Sequence, residues 1–115
     1  MRGVLTQLMR RKDKSVSLVG LQHEMRAVLT AVDSVYSKYG KETVITAGTE
    51  AFNSDGKLIH SVGSLHPFGY ALDFRTNYFE GNNKGLVAHE LRKLLGPDYD
   101  VILHASHMHI EFDKK

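Results

Sequence analysis

Apolar residues recur at Leu21, Met25, Val28, Leu29, Val32, Val35 and Tyr36. This spacing of threes and fours predicts an amphipathic helix of about four turns. It ends at Gly40, with Lys38 in the last turn. A second helical stripe runs through Val87, Leu91, Leu94 and Leu95, with Asn82 or Asn83 as candidate N-cap and Gly96-Pro97 as the stop. Between the helices the period drops to two. Thr43–Ala47 is short and β-branched, and in residues 70–75 Tyr70, Leu72 and Phe74 point one way while Ala71, Asp73 and Arg75 point the other. Two further strands are expected at Tyr99–Leu103 and at residues 108–112. In the latter, Met108, Ile110 and Phe112 face the core and leave His107, His109 and Glu111 on the opposite side. Residues 48–63 carry Gly, Asn, Asp and Ser with little periodicity and read as a loop of the active-site type. The order predicts an α+β fold, a small antiparallel sheet with helices packed on one face. Residues 1–14 form a basic lead-in to a single domain spanning residues 15–115.

At 115 residues the chain supports one core. It has no cysteine, so disulfides and thiolate metal sites are excluded, and a bound metal must be held by His, Asp and Glu. Seven histidines are available. The net charge of +2 suits an anionic partner such as a cell-wall polymer and is too weak to argue nucleic-acid binding. No window is apolar for long enough to span a bilayer, so no membrane insertion is expected. The basic N-terminus lacks the apolar stretch of a secretory signal, which predicts synthesis in the cytoplasm and a separate route of release.

Two motifs carry candidate chemistry. Ser64-Leu65-His66-Pro67-Phe68-Gly69-Tyr70-Ala71-Leu72-Asp73 offers an imidazole and a carboxylate, with Pro67 and Gly69 able to bend His66 back toward Asp73. His104-Ala105-Ser106-His107-Met108-His109 places two imidazoles on one strand face. If the strands are neighbours, His66, Asp73 and one of the paired histidines converge on one ion, leaving a coordination position for water. Asp73, flanked by Leu72 and Phe74, needs a partner to offset desolvation. The helical His-Glu-x-x-His motif is absent: positions 27 and 93, four after His23 and His89, are Ala27 and Lys93, which leaves both histidines as solvent-facing helix residues. There is no Gly-x-Ser-x-Gly elbow and no cysteine nucleophile. The paired His-x-Ser/Thr repeats of histidine-based phosphoesterases are absent as well.

Ser64, His66, Gly69, Ala71 and Asp73 fill every fixed position of Ser-x-His-x-x-Gly-x-Ala-x-Asp. In this the chain resembles the M15 family of zinc peptidases, which includes D-Ala-D-Ala carboxypeptidases and phage cell-wall endopeptidases. His107-x-His109 resembles the His-x-His of the superfamily that joins them to lysostaphin-type enzymes and the hedgehog domain. The resemblance covers residues 43–113 and implies a hedgehog/D-Ala-D-Ala-peptidase-like fold. It implies Zn2+ held by His66, Asp73 and His109, with His107 placed to stabilise an oxyanion. Many relatives carry an acidic residue shortly before the last ligand; here Ser106 and His104 stand in that region. The spacing His104-x-x-His107-x-His109 is similar to the murein endopeptidase branch, which assigns His104 the general-base or proton-shuttle role. Imidazole, exchanging protons near neutral pH, suits it. Ser64, Arg75 and His60 are candidate substrate contacts, and Glu111 is placed to orient a ligand imidazole. The segment 48–52 lacks the arginine that relatives often carry there. The implied activity is zinc-dependent hydrolysis of a peptide bond in the peptidoglycan stem peptide, by a carboxypeptidase or endopeptidase acting as a monomer after release or within a phage particle. The alternative is a zinc-binding wall or protein interaction module without turnover.

Overall fold

The computed structural model describes residues 9–50 and 64–115. The elements are β1 (Met9–Arg11), a 3-10 turn at His23–Met25, α1 (Arg26–Lys38), β2 (Thr43–Ala47), β3 (Ala71–Arg75), α2 (Asn83–Leu95), β4 (Tyr99–Leu103) and β5 (His107–Phe112). They form a five-stranded sheet in the order β1-β2-β3-β5-β4.

The α+β class holds, and one feature of the expected sheet is corrected: it is mixed, not antiparallel throughout. The pairs β2–β3, β3–β5 and β5–β4 are antiparallel, but β1 runs parallel to β2, Met9 opposite Thr43 and Arg11 opposite Ile45. The basic stretch Arg10-Arg11-Lys12 has no apolar alternation to mark a strand, and as an exposed edge strand it needs none. It is held by backbone pairing and by Arg10 Nε donating to Glu42 at 3.0 Å. Residues 9–12 of the lead-in are therefore joined to the sheet, Lys12 N–H reaching Ile45 O at 2.9 Å.

Both helices cover the same face. Val28, Val32, Val35 and Tyr36 of α1 and Val87, Ala88 and Leu91 of α2 close over Ile45, Leu72, Phe74, Met108 and Ile110. The valines of α1 cost about 0.5 kcal/mol each in helix propensity. Burying each returns roughly 1.5–3 kcal/mol, so packing decides the helix. Leu94, expected on the core stripe, is 58 % exposed, and Ala88 takes a core position instead. Leu94 borders a groove between the helices that α1 lines with Arg26 at its first turn and then with Ala27, Thr30, Ala31 and Ser34, four side chains too short to reach across it. His23 and His89 face solvent as expected.

The first helix begins later than its stripe suggests, because the chain before it is engaged elsewhere. Gln22 is extended (φ −75°, ψ 151°), its N–H donates to Gly69 O at 3.0 Å and its Nε2 donates to Phe68 O at 3.2 Å. The turn carrying His66 is thus docked onto the entrance to α1. Gly69 is required there on two counts: its φ is +83°, and a Cβ would overlap the Gly20 carbonyl oxygen.

Gly69→Ala is expected to destabilise the protein by more than the roughly 1–2 kcal/mol that a positive φ alone costs a residue with a side chain. Gly81→Ala, at φ +57° with open space around it, should cost no more than that. Urea unfolding of the two variants checks this; equal losses would show that the docked turn carries no steric constraint.

Candidate metal centre

The face of the sheet turned away from the helices carries the motif residues. The β3–β5 register sets Ala71 opposite Glu111, Asp73 opposite His109 and Arg75 opposite His107. Directly opposed residues share a face of an antiparallel pair, so three side chains of β5 stand beside three of β3. Between β2 and β3 the register moves from Ile45–Phe74 to Ala47–Asp73, two residues against one. This bulge lies just before Gly48 and re-aims the end of β2 toward the motif turn.

His66 is 3 % exposed, and its Nδ1 lies 2.8 Å from Gly48 O. A carbonyl only accepts, so Nδ1 carries the proton and Nε2 turns a lone pair inward. Nε2 lies 3.2 Å from Asp73 Oδ1 and 3.2 Å from His109 Nδ1. His109 Nδ1 is 2.8 Å from Asp73 Oδ1, and its Nε2 is 2.8 Å from Glu111 Oε1. With Nε2–H donating to Glu111, His109 Nδ1 is also an acceptor. Three lone pairs then meet around one point, an arrangement that only a cation stabilises. Ligands at about 2.0–2.1 Å from a tetrahedral zinc sit roughly 3.3 Å apart. The observed separations of 2.8–3.2 Å are close to that edge. The donor set of two imidazoles and one carboxylate fits zinc, and each imidazole is oriented by its other nitrogen. His66, Asp73 and His109 therefore form a group that can bind a metal ion.

Without metal, a proton takes the central position. Burial alone would disfavour charge on His109, but hydrogen bonds to Asp73 and Glu111 outweigh it and raise its proton affinity above that of ordinary imidazole. Burial likewise opposes ionisation of Asp73, and its close contacts with the imidazoles of His109 and His66 outweigh it, holding the carboxyl well below the usual carboxylate range.

His107 borders the group, with Nε2 3.8 Å from Asp73 Oδ2. Burial lowers its proton affinity, Asp73 partly restores it, and neighbouring imidazoles, His104 first, lower it further. The exposed His104 stacks on His107 with ring centroids 4.6 Å apart, so it meets the cluster through that ring. The Ser64 hydroxyl meets the backbone of the donor group, accepting from His66 N–H at 3.1 Å, and shapes the turn. Arg75 lines a cavity beside Asp73 and His107. His60 lies outside the described residues, as does most of the expected loop.

Sequence patterns did not mark what holds the Gly48 carbonyl in place. Glu50 accepts from Gly48 N–H at 3.0 Å and from Ser17 N–H at 2.8 Å. Thr49 N–H donates to Ser17 O at 2.6 Å, and its hydroxyl donates to Val19 O at 2.7 Å. A Cβ at Gly48 would overlap Ser17 O. These contacts join segments some thirty positions apart, and no local spacing announces them.

Two outcomes follow from the geometry. Glu111→Gln should weaken zinc affinity by roughly 10–100-fold while leaving stoichiometry at one, measured by competition with a chelating dye. An unchanged affinity would mean that Glu111 does not orient His109. The second concerns pH. The raised proton affinity of His109 stabilises the metal-free fold fully below the unfolded-state imidazole value, and this is lost as pH rises through the folded value. The depressed Asp73 contributes above its unfolded value of 3.8 and loses that as pH falls toward the folded one. Together their contribution to the metal-free protein peaks between about pH 4 and 6.5. Zinc competes for the same lone pairs, so the zinc-induced rise in Tm should be small near about pH 5.5 and large near about pH 8. A rise that does not depend on pH would contradict the shared position.

In comparisons with known proteins, no family model matches the chain and no curated protein matches it.

Proposed function

We propose that the protein is a zinc metallopeptidase that hydrolyses a peptide bond in the stem peptide of bacterial peptidoglycan. One observation carries the reading: His66 Nε2, Asp73 Oδ1 and His109 Nδ1 meet within 3.2 Å of one another, beside a cavity of about 360 Å³ that Asp73 and His107 help to line. The motif resemblance supplies the substrate class. A bound zinc would supply an acidified water and a Lewis acid for the scissile carbonyl.

The chain's own residues divide the remaining work. Asp73 and Glu111 hold His109 from its two sides, and the Gly48 carbonyl holds His66, so the donors are set before a ligand arrives. Both carboxylates that touch the cluster are engaged with His109, which leaves proton transfer to imidazole. His107, the nearer of the remaining pair, holds little charge near neutral pH and accepts a proton at Nε2. His104, stacked on its outer side, relays that proton to solvent. The same His107, once protonated, stabilises negative charge on the substrate oxygen.

Zinc-loaded protein is expected to release free amino groups from purified peptidoglycan, a chelator to abolish the release, and added zinc to restore it. His109→Ala should lose both zinc and release. His107→Ala should keep zinc and lose at least about 100-fold in rate, as for removal of a general acid–base group. Stoichiometric zinc with no release by the unaltered protein would contradict the peptidase reading and favour a wall-binding module.

A further inference from the structure

The cavity beside the donor group has a charge pattern that the zinc site does not use. Its lining includes Lys12, Arg75, Asn77, Ser106, His107 and Asp73. Among the described residues neither Lys12 nor Arg75 forms an ion pair or a side-chain hydrogen bond. Arg75 is half-buried, and a guanidinium in that setting ordinarily has a carboxylate or carbonyl partner. Asp73, the one carboxylate in the lining, already accepts from imidazole and does not neutralise it. Counting Lys12 and Arg75 against Asp73, the lining carries +1 (2 − 1), which suits a monoanion better than a phosphate dianion.

The backbone under these cations is fixed from three sides. Lys12 N–H donates to Ile45 O at 2.9 Å at the end of β1. The buried Tyr36 hydroxyl donates to Arg75 O at 2.8 Å, with its ring held edge-on against Phe79 at 4.8 Å. Thr76 N–H donates to Ser106 O at 3.1 Å, which closes the far wall. The anion-facing side is therefore built into the sheet, half of it by the edge strand β1.

We propose that Lys12 and Arg75 form an anion subsite that seats a carboxylate of the peptide substrate next to the zinc-binding group. The choice of a peptide carboxylate rests on the peptidase reading; the paired cations in the cavity do not. Two sources supply such a group: the free C-terminus of a peptide, cut by a carboxypeptidase, and a side-chain carboxylate within the chain, cut by an endopeptidase.

The test measures binding without turnover. Zinc-free protein is titrated calorimetrically with N-acetyl-D-alanyl-D-alanine, with its C-terminal amide, and with N-acetyl-D-glutamyl-D-alanine amide, whose carboxylate is on a side chain. At least one acid should bind about tenfold or more tighter than the uncharged amide, as expected for a charge-assisted contact. Preference for the first acid identifies the C-terminus as the source, and preference for the second identifies a side chain. Arg75→Gln and Lys12→Gln should each remove most of that preference, and Lys14→Gln, outside the cavity lining, should keep it; circular dichroism checks that each variant is folded. Equal or absent binding of acids and amide, or a preference that survives in both Arg75→Gln and Lys12→Gln, overturns the subsite. If the preference is present but zinc-loaded protein releases no amino groups from peptidoglycan, the subsite stands and the peptidase reading falls. If turnover occurs without the preference, the subsite alone falls.

Discussion

Everything on the open face of the sheet depends on one pairing: Asp73 of β3 lies opposite His109 of β5, and their polar atoms meet at 2.8 Å. A carboxylate that is mostly withdrawn from water is costly unless its charge is matched. Here the match is a pair of imidazoles whose remaining nitrogens are committed to Gly48 O and Glu111. That commitment leaves three lone pairs facing one another, and the fold tolerates it only with a positive charge between them. A proton meets the need at mildly acidic pH, and a divalent metal ion meets it better once protons become scarce.

The placement of the third donor is a matter of backbone. His66 comes from a turn, not a strand, so its position depends on how that turn is anchored. Gly69 allows the turn to lie against Gly20 and Gln22, and Gly48 lets the end of β2 lie against Ser17, in both cases with backbone approaching where a side chain would overlap. The helices contribute indirectly. Their apolar faces bury the opposite side of β3 and β5, which leaves the polar side chains of the ladder on its outer face.

Much of this was legible in the residue pattern. The alternation of Tyr70 to Arg75 and of His107 to Phe112 assigned each side chain to a face, and strict period two leaves little freedom once one face is buried. The convergence of His66 and Asp73 with one of the paired histidines followed from that alternation together with one bend at Pro67 and Gly69, and the motif resemblance singled out His109. What stayed hidden was long-range or backbone-mediated. The parallel edge strand Met9–Arg11 has no apolar period, because neither of its faces is buried. The Glu50–Ser17 clamp joins loops that no periodicity relates. Leu94 matched the helical stripe, yet borders a groove that the mostly small side chains of α1 leave open. Arg75 had a legible face but no legible partner; its proximity to Lys12 depends on β1 being in the sheet at all.

X-ray absorption at the zinc edge on the zinc-loaded protein reads the central arrangement most directly. Two imidazole nitrogens and a carboxylate oxygen should appear as nitrogen and oxygen neighbours near about 2.0–2.1 Å. The outer-shell signals of two imidazole rings should accompany them, and one ring should be lost in His66→Ala. A spectrum of oxygen neighbours alone, without imidazole outer shells, would mean that the three donors do not share an ion.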